Sequence, residues 1–342
     1  MKIWFDILTP KQYLFFEYFI QKLRKQHKIF ATSRKYQQVN DIVKFGSMDP
    51  VLIGKHGGGE KSNKMMASSQ RSRLLTKKIE KFKPDLLISF CSPEASKVAF
   101  ESNIPHIAFS DSPHAKAVMK LSLPFVTKLL TPWIIPKNDF VLYGIDSKNI
   151  IRYKTIDAAL IIKNYKNLKK KNSKSKKIIL IRPEEVEAAY ATKSNKTVKI
   201  IKKIVEDFPN EEKIVLSRYD NQSKELKKVF GSNISLFSKP INGQEFLRKT
   251  DCFVGSGGTM TAEAGLLGIP TISLNSVPNR IENYLVKKKL ITRAETSEKI
   301  SKEVFRALND NNFMKKRKIQ AKKITSSFED PYQILLKAIR TL

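Results

Sequence analysis

The feature that most constrains the fold is an alternation of short apolar segments with longer amphipathic ones, which runs along the chain in two series. The short segments are rich in Ile, Leu, Val and Phe without a clean apolar–polar alternation, as in strands covered on both faces. Such strand–helix alternation predicts parallel sheets with helices on both sides. We therefore expect an α/β protein with two doubly wound, Rossmann-like domains facing across a cleft.

The first series predicts an N-terminal Rossmann-like domain over residues 1–165. Its predicted strands are Lys2–Leu8, Lys28–Ser33, Pro50–Gly54, Asp85–Phe90, His106–Ser110, Lys128–Ile135 and Phe140–Gly144. Helical patterns lie between them at Lys11–Gln26, Gln37–Phe45, Ser62–Phe82 and Pro93–Ser102. The polar, lysine-rich stretch Lys163–Lys177 has no apolar period, and it predicts the domain boundary.

The second series predicts a C-terminal Rossmann-like domain over residues 174–330, followed by a helix at 331–342 that could pack back on the first domain. Its predicted strands are Lys177–Arg182, Lys213–Arg218, Ser235–Phe237, Cys252–Gly255 and Pro270–Leu274. Its predicted helices are Asn195–Phe208, Gln222–Phe230, Gly243–Lys249, Thr259–Leu267, Asn279–Lys288, Ser297–Leu308, Phe313–Ser327 and Pro331–Leu342. Ligands of such sheets bind beyond the carboxyl ends of the strands, so the loops after strands are the candidate sites.

The charge is strongly unbalanced, with 64 Lys and Arg against 32 Asp and Glu and a formal net charge of +32. A field of this sign attracts anions such as phosphorylated substrates, acidic lipid headgroups or nucleic acid. Lysine as a default surface residue is an equal alternative, because the lysines are spread along the chain. No zinc-finger spacing or basic–aromatic signature accompanies them, so nucleic acid ranks behind small anions.

The cellular setting is indicated by the cysteines and the apolar runs. Two isolated thiols, Cys91 and Cys252, are typical of core residues in a reducing compartment. The first residues enter a strand pattern directly, and we expect no signal peptide. No run of 18 apolar residues occurs, whereas the interrupted apolar stretch Leu121–Pro136 would suit contact with a membrane surface. We expect a cytoplasmic protein that could associate with the inner, anionic face of the membrane.

Residues 252–270 carry the most informative motif, CFVGSGGTMTAEAGLLGIP. It predicts a buried strand to Val254, a glycine-rich turn at Gly255–Gly258 and a helix that begins near Thr259. Glycines let the backbone approach a ligand closely, and the helix start offers N–H groups and a positive dipole end to a phosphate. Glu263 lies one turn inside the helix, where it could accept hydrogen bonds from ribose hydroxyls. The alternative is an ordinary tight turn with a solvated glutamate.

This segment resembles the nucleotide-binding signature of GT-B glycosyltransferases. The spacing from Gly257 through Glu263 to Pro270 resembles that of the bacterial transferase that adds N-acetylglucosamine to lipid-linked muramyl-peptide. It is also similar to the non-hydrolysing UDP-N-acetylglucosamine 2-epimerases, with one residue more before the glutamate. The resemblance implies that Gly257, Gly258 and Thr259 face a diphosphate and that Glu263 holds the ribose.

A second resemblance covers nearly the whole chain and is to an uncharacterised, largely archaeal family of GT-B-like proteins. The segments that carry it are Trp4–Pro10, Ile53–Gly58, Ser92–Ala95, Asp111–Ala115, Thr131–Pro132, Arg182–Pro183 and Arg218–Tyr219. This resemblance implies the two-domain fold and leaves the activity open.

Loops after strands supply further candidates. Asp111 and His114 could act as an orienting acid and a general base, with Ser112 or Asp111 capping a helix that contains His114 as the alternative. His56 precedes Gly57–Gly59, a turn that could cradle phosphate or simply connect two elements.

Two arginines complete the candidate set. Arg182 and Arg218 each end a predicted strand and could contact phosphate in a bidentate manner, with surface ion pairing as the alternative. The cysteines and histidines lack metal-ligand spacing, so we expect neither a metal nor a separate cofactor.

The sequence leaves three functions open. The first is a metal-independent glycosyltransferase that binds a nucleotide-sugar, expected to be UDP-linked, and transfers the sugar to an unidentified acceptor, for which a lipid-linked molecule is one alternative. The second is a sugar-nucleotide 2-epimerase, which needs no acceptor. The third is a non-catalytic protein that binds anions or nucleic acid. The first strand–helix loop, Leu8–Gln12, lacks the glycines of many GT-B transferases and the Arg-Pro-Glu of the epimerases.

Overall fold

A computed structural model describes residues 1–35, 43, 48–58, 60–163, 176–184, 196–217, 220–237, 243–274 and 278–342. The chain divides into two compact units. The first consists of Met1–Leu160 together with Phe328–Leu342, and the second is Ile161–Ser327. The second unit is therefore inserted into the sequence of the first.

The first unit alternates strands and helices. Its strands are β1 Lys2–Asp6, β2 Lys28–Lys35, β3 Val51–Lys55, β4 Leu86–Ser89, β5 His106–Phe109, β6 Lys128–Pro132 and β7 Ile150–Tyr153. Its helices are α1 Pro10–Leu23, α2 Lys61–Phe82, α3 Pro93–Glu101, α4 Lys116–Ser122, α5 Asn138–Val141, α6 Asp157–Lys163 (which spans the boundary) and α14 Pro331–Arg340. Single 3₁₀ turns lie at Leu123–Phe125 and Ser147–Asn149.

Within the described residues, the strands of the first unit form one parallel sheet in the order β3-β2-β1-β4-β5-β6-β7. The direction of chain progression reverses between β1 and β4, where Asp6 pairs with Ser89. In doubly wound sheets this reversal opens a crevice at the carboxyl ends of the strands. The reversal therefore places the loops after β1 and β4 at the expected ligand edge.

Helix α1 is anchored to the sheet by aromatic packing. Thr9 is its N-cap and Pro10 occupies the first turn, which suits the fixed φ of proline. Phe15, Phe16 and Phe19 are fully buried, and the rings of Phe15 and Phe109 lie 5.2 Å apart, edge to face. Such pairs stabilise the fold by about 0.5–1.5 kcal/mol beyond their buried area.

The C-terminal helix α14 packs on α1 in the same unit. Tyr18 donates a hydrogen bond of 2.5 Å to Asp330, which caps α14. The Lys22 ammonium lies 4.3 Å from the ring centroid of Tyr18 and 4.6 Å from that of Tyr332. These contacts join residues more than 300 positions apart in sequence.

The second unit repeats the architecture. Its strands are β8 Ile178–Arg182, β9 Glu212–Leu216, β10 Ser235–Phe237, β11 Cys252–Gly255, β12 Thr271–Ser273 and β13 Thr292–Arg293. Its helices are α7 Lys196–Asp207, α8 Asp220–Phe230, α9 Gly243–Lys249, α10 Thr259–Leu266, α11 Arg280–Lys287, α12 Ser297–Asn309 and α13 Asn311–Ser326, with a 3₁₀ turn at Gly231–Asn233. Among the described residues the parallel order is β10-β9-β8-β11-β12-β13, which reverses between β8 and β11.

Several sequence predictions are corrected in the first unit. The strand predicted at Phe140–Gly144 is wrong: this segment contains the end of the short helix α5, Asn138–Val141, and a turn. Phe140 is fully buried whereas Leu142 is 67% exposed, which is a helical rather than an extended pattern, and Gly144 takes a φ of +95° that ends the turn. Strands β7 and β13 were not predicted. The helix predicted at Gln37–Phe45 lies outside the described residues except for Val43.

The apolar stretch Leu121–Pro136 is mostly core rather than surface. Leu123, Leu129, Leu130 and Ile135 are fully buried, because β6 lies inside the sheet with neighbours on both sides. Only Leu121, with 59% of its side chain exposed, remains a large exposed apolar residue of this stretch. None of the helices in the described residues combines the length and the apolar character needed to cross a membrane.

Candidate functional site

The glycine-rich turn of the second unit lies between β11 and α10. Gly255 pairs with Arg182 on one side and with Ser273 on the other, so the turn stands at the reversal point of this sheet. Gly257 and Gly258 have φ values of +103° and +87°. L-residues rarely adopt these conformations, and glycine is therefore required for this path of the backbone.

The surroundings of the three glycines differ. A Cβ on Gly255 would lie 2.5 Å from Phe253 Cε1, and one on Gly257 would lie 2.8 Å from Glu282 Oε2. A Cβ on Gly258 would meet no heavy atom within 4 Å, and Gly258 is exposed. The turn is therefore packed against the protein at Gly255 and Gly257 and open at Gly258, which is the side available to a ligand.

Helix α10 begins at this open side. Its N-cap is Gly258, whose carbonyl accepts the first helical hydrogen bond from Ala262 at 3.1 Å. The first N–H groups of a helix have no acceptor within the helix, and they lie at its positive dipole end. Thr259 occupies the first helical position beside them. This geometry can hold an anion such as a phosphate.

Glu263 lies on the second turn of α10 and is only 6% exposed. A solvated glutamate, which was the alternative at this position, does not fit that burial. The ribose-binding role of Glu263 stays a prediction.

Glu282 is a feature of this site that the sequence analysis missed. It lies in the first turn of α11, where the Asn279 side chain accepts a hydrogen bond of 2.9 Å from its N–H. Its Oε1 accepts hydrogen bonds from Ser273 Oγ at 2.9 Å and from Arg293 Nε at 3.1 Å. Its Oε2 faces Gly257. The carboxylate therefore links β12, β13 and α11 directly behind the glycine turn.

The two predicted arginines have different outcomes. The Arg182 guanidinium donates hydrogen bonds to the carbonyls of Leu216 and Ser217 at 2.8 and 2.9 Å. It thereby holds the end of β9 against β8, whose last residue Arg182 pairs with Gly255, and this positioning contact was not predicted from the sequence. Arg218 lies outside the described residues.

In the first unit, the reversal point holds a buried ion pair. Asp6, at the end of β1, is fully buried and faces Arg71 of α2, whose guanidinium donates to Asp6 Oδ1 at 2.6 Å and to Oδ2 at 3.2 Å. Thr32 and Ser92 each donate a further hydrogen bond of 2.6 Å to this carboxylate. Both oxygens of the Asp6 carboxylate are therefore hydrogen-bonded inside the protein, and Asp6 joins β1, β2, α2 and the start of α3 at the ligand edge.

A second ionic cluster lies beside it, and we call it the Lys11 cluster: Lys11, Asp111, Tyr153 and Asp157. Lys11 Nζ lies 2.5 Å from Asp111 Oδ2 and 2.9 Å from Asp157 Oδ2. Tyr153 donates a hydrogen bond of 2.7 Å to Asp157 Oδ1. Asp157 is 1% exposed, whereas the side chains of Lys11 and Asp111 are 20% and 17% exposed. Asp111 and Lys11 form the accessible end of the cluster.

The two carboxylates of the Lys11 cluster have opposite proton affinities. Burial raises the pKa of Asp111, but the Lys11 ammonium and its hydrogen bond outweigh burial and hold that pKa below its ordinary value. Burial raises the pKa of Asp157 to about 6, with Lys11 lowering it and the charge of Asp111 raising it. A proton near neutral pH therefore resides on Asp157 before it resides on Asp111.

His114 does not lie inside a helix. Helix α4 begins at Lys116 with Ala115 as its N-cap, so neither Ser112 nor Asp111 caps it, and that expectation is wrong. The segment before α4 forms a turn instead, in which Ala115 and Lys116 donate their N–H groups to the carbonyls of Ser112 and His114. Desolvation lowers the pKa of His114, and the charge of Asp111 opposes that shift.

His56 follows β3 and holds its own turn. Its Nδ1 accepts a hydrogen bond of 3.1 Å from the Gly58 N–H. A Cβ on Gly57 would lie 2.5 Å from Lys64 Cα, so the turn packs closely on α2. Desolvation, Arg34 and Lys64 lower the pKa of His56, while Glu94 raises it. The described residues contain no group of three His, Cys, Asp or Glu side chains that could hold a metal ion.

The fold is shared with solved structures of UDP-GlcNAc 2-epimerases and of a glycosyltransferase. A UDP-GlcNAc 2-epimerase from Neisseria meningitidis bound to UDP-GlcNAc superposes with a TM-score of 0.73 at 16% identity, over 100% of both chains. A UDP-GlcNAc 2-epimerase from Methanocaldococcus jannaschii in complex with UDP-GlcNAc and UDP gives 0.71 at 17% identity, over 96% of this chain and 100% of that one. The glycosyltransferase of kitacinnamycin gives 0.62 at 12% identity, over 98% of both chains. The protein is thus of the GT-B-like class, with two Rossmann-like parallel-sheet units.

Within that class, the chain belongs to the family DUF354, described as a protein of unknown function, whose model matches residues 1–341. An uncharacterized protein of Methanocaldococcus jannaschii is 28% identical over 300 residues, which covers 84% of this chain and 86% of that protein. The predicted relationship to a GT-B-like family with archaeal members is confirmed.

Proposed function

We propose that this protein binds a nucleotide-sugar, UDP-linked, at the glycine turn of its second unit and transfers the sugar to an acceptor. The observation that carries the proposal is the turn itself. Two glycines of positive φ stand at the reversal point of the sheet and lead into a helix whose start is open on the Gly258 side. Solved structures of the same fold are bound to UDP-GlcNAc or UDP, which supports the choice of ligand.

In this proposal the second unit holds the nucleotide and the leaving group. The N–H groups at the start of α10 and its dipole stabilise the negative charge that develops on the leaving diphosphate. Thr259 lies beside the diphosphate, and Glu263 accepts hydrogen bonds from the ribose hydroxyls. Arg182 positions the end of β9. The phosphate contact proposed for Arg218 rests on the sequence alone. The nucleotide-sugar is the substrate, and no separate cofactor is part of the proposal.

The first unit supplies the acid–base groups. Asp111 is the accessible carboxylate of the Lys11 cluster and is the group that would accept a proton from an acceptor hydroxyl. Lys11 keeps Asp111 ionised, and Asp157 adds a carboxyl that titrates near pH 6 in direct contact with the same lysine. His114, three residues after Asp111, is the second candidate for the base.

A sugar-nucleotide 2-epimerase is the second candidate function. The observation in its favour is that the two UDP-GlcNAc 2-epimerases described above superpose with higher TM-scores than the glycosyltransferase does. An epimerase needs groups that remove and return a proton and needs no acceptor. The Leu8–Gln12 loop lacks the Arg-Pro-Glu sequence of the epimerases, which counts against this function, and it also lacks the glycines of many transferases.

The first experiment measures binding of UDP, GDP, CMP and their sugars by calorimetry and thermal shift. We expect one nucleoside diphosphate to raise the Tm of the wild type and Glu263→Ala to lose that shift. Glu295→Ala, at an exposed position of the same unit, is the matched control and should keep it. If no nucleotide binds, or if both variants lose the shift equally, the assigned site is wrong.

A second measurement separates the two activities. The protein is incubated with UDP-GlcNAc alone, and the sugar is followed by proton NMR. An inverted C2 configuration without any acceptor would establish the epimerase and overturn the transferase. An unchanged sugar that binds but does not epimerise supports the transferase.

A further inference from the structure

The first unit carries an apolar surface that its own core does not cover. We call it the apolar patch: Phe100 of α3, Val118 and Leu121 of α4, and the half-buried Phe125 of the following 3₁₀ turn. Phe100 and Leu121 are each 59% exposed, and Val118 is 36% exposed. The rings of Phe100 and Phe125 lie 5.0 Å apart, so α3 and the turn after α4 form one continuous surface.

Helix α4 presents the wrong face to solvent for an ordinary surface helix. Its buried residues are Met119 and Ser122. Val118 and Leu121, three positions apart and hence on one face, point outward at 36% and 59% exposure. An amphipathic helix normally buries such residues. A surface of this kind marks a binding site for a partner or a membrane.

The apolar patch rests on well-packed structure. Met119, Leu123, Phe140 and Tyr143 belong to one buried cluster directly beneath it. Pro124 lies against Gly144, where a Cβ would be 3.5 Å from Pro124 Cγ, and this contact joins the segment after α4 to the segment after α5. The exposed apolar side chains are therefore held in place by a core, and they do not belong to a loose loop.

Positive charge borders the apolar patch. Lys116 and Lys120 are exposed one helical turn apart on α4 itself. Lys97 on α3 is paired with Glu101 at 3.8 Å, so the net positive charge comes from the two lysines of α4. The whole chain carries a formal charge of +32. Long lysine side chains can lie along apolar surface and extend their ammonium groups toward lipid phosphates. Stable attachment to a bilayer takes two signals, such as an apolar insertion and a basic surface, and both are present here.

We propose that the apolar patch is a docking surface for an anionic lipid bilayer, with Leu121 and Phe100 inserted among the headgroups and Lys116 and Lys120 against lipid phosphates. Helix α4 begins two residues after His114 and five after Asp111. Docking therefore places the loop that carries these residues at the bilayer surface. If the proposed transferase activity holds, the acceptor is a lipid that the protein meets in the membrane.

The test is co-sedimentation of the full chain with vesicles of phosphatidylcholine alone and of phosphatidylcholine with phosphatidylglycerol, at low and high salt. We expect binding to the anionic vesicles, which weakens with salt without disappearing because of the apolar contacts. Wild-type protein that stays in the supernatant under all these conditions would overturn the proposal. No nucleotide enters the assay, so its result is independent of the proposed activity.

Leu121→Glu should weaken binding to anionic vesicles by ~10-fold or more, since a charge replaces an inserted leucine. Phe305→Glu is the matched control, because Phe305 is 62% exposed in the second unit and has a basic neighbour, Arg306, as Leu121 has in Lys120. It should bind like the wild type. Leu121→Ser separates loss of the apolar contact from added negative charge, and thermal melting confirms that each variant is folded.

Two outcomes contradict the assignment. Equal losses for Leu121→Glu and Phe305→Glu would mean that net charge alone attracts the vesicles. A shift from oligomer to monomer in Leu121→Glu by light scattering, with vesicle binding unchanged, would mean that the apolar patch joins two copies of this chain.

Discussion

The carboxyl ends of the two sheets have the same topology and are built from different chemistry. In the first unit, charged side chains fill this edge, with Arg71 on Asp6 and Lys11 between Asp111 and Asp157. In the second unit, the backbone of a glycine turn and a helix start form the edge, with Glu282 behind them. The first edge is suited to proton transfer, and the second to holding an anion with N–H groups.

This difference predicts how each edge responds to mutation. Removing one partner of a buried ion pair leaves an uncompensated charge, whereas changing a glycine strains the backbone. The tryptophans of the chain, Trp4 and Trp133, both lie in the first unit, so their fluorescence reports the unfolding of that unit.

The largest effect is expected for Arg71→Ala. The fully buried Asp6 carboxylate would lose both guanidinium hydrogen bonds, and the free energy of unfolding of the first unit should fall by about 3–5 kcal/mol. Denaturant unfolding followed by tryptophan fluorescence measures the change. Arg73→Ala, two positions further on the same helix and exposed, is the control and should shift the midpoint little. Equal shifts for both variants would show that the ion pair is not a structural centre.

Gly257→Ala should have the next largest effect. A side chain at a φ of +103° costs about 1–3 kcal/mol, and its Cβ would also meet Glu282 Oε2 at 2.8 Å. Gly231→Ala, at a φ of +52° with no heavy atom within 4 Å of the added Cβ, should cost only about 1 kcal/mol. Hydrogen exchange of the second unit compares the two. The prediction fails if the two variants are equally stable. It also fails if Gly257→Ala destabilises the protein as much in a Glu282→Ala background as it does in the wild type.

The pH dependence of stability sharpens the comparison further. The pKa of Asp157 is raised to about 6 in the folded protein, so the folded state binds this proton more tightly than the unfolded chain does. The contribution of Asp157 to stability is therefore fully present below about pH 4, the pKa of an unfolded aspartate. It is lost as the pH rises from that value through about 6.

Asp157→Asn removes this dependence, so the difference in stability between wild type and variant should change between pH 4 and 6. Tryptophan-detected unfolding at several pH values measures it. Asp146→Asn is the control, because hydrogen bonds from Lys148 lower the pKa of Asp146, so its contribution changes below about pH 4 and should vary little between pH 4 and 6. A difference that does not vary with pH would contradict the raised pKa of Asp157.

The smallest expected loss of stability comes from removing a helix N-cap, and two caps with hydrogen bonds of different length can be compared. Asn279 accepts from the Glu282 N–H at 2.9 Å, whereas Thr9 accepts from the Gln12 N–H at 3.4 Å. Asn279→Ala should cost about 1 kcal/mol. Thr9→Ala should cost less, since its bond is longer. Calorimetric unfolding of both variants tests the order. A larger loss for Thr9→Ala would show that bond length at the cap does not decide stability here.

The sequence predicted the second edge better than the first. The turn at Gly255–Gly258 is visible because glycines, a preceding apolar strand and a following helix are local signals. The contact between Glu282 and Gly257 was not predictable, since Asn279 and Glu282 form a capping pattern that predicts a helix start and nothing about its neighbours.

At the first edge, the missing information is long-range. Lys11, Asp111 and Asp157 are separated by about 100 and 46 positions, and the sheet order β1-β4-β5-β6-β7 brings them together. Tyr153 ends strand β7 and Asp157 begins helix α6, four residues further on. Neither element was predicted from the sequence, because no hydrophobic period was recognised in this segment. The strand predicted at Phe140–Gly144 was wrong because a short apolar run does not distinguish a strand from a helix.

The insertion of the second unit into the first has a consequence for synthesis. A ribosome makes Tyr18 early and Asp330 only after the whole of residues 161–327, yet the two side chains share a hydrogen bond. The nascent second unit can complete its sheet while the first still lacks α14, which covers part of α1 and its aromatic residues. The contacts between α14 and α1 can therefore form only after the whole second unit has been synthesised.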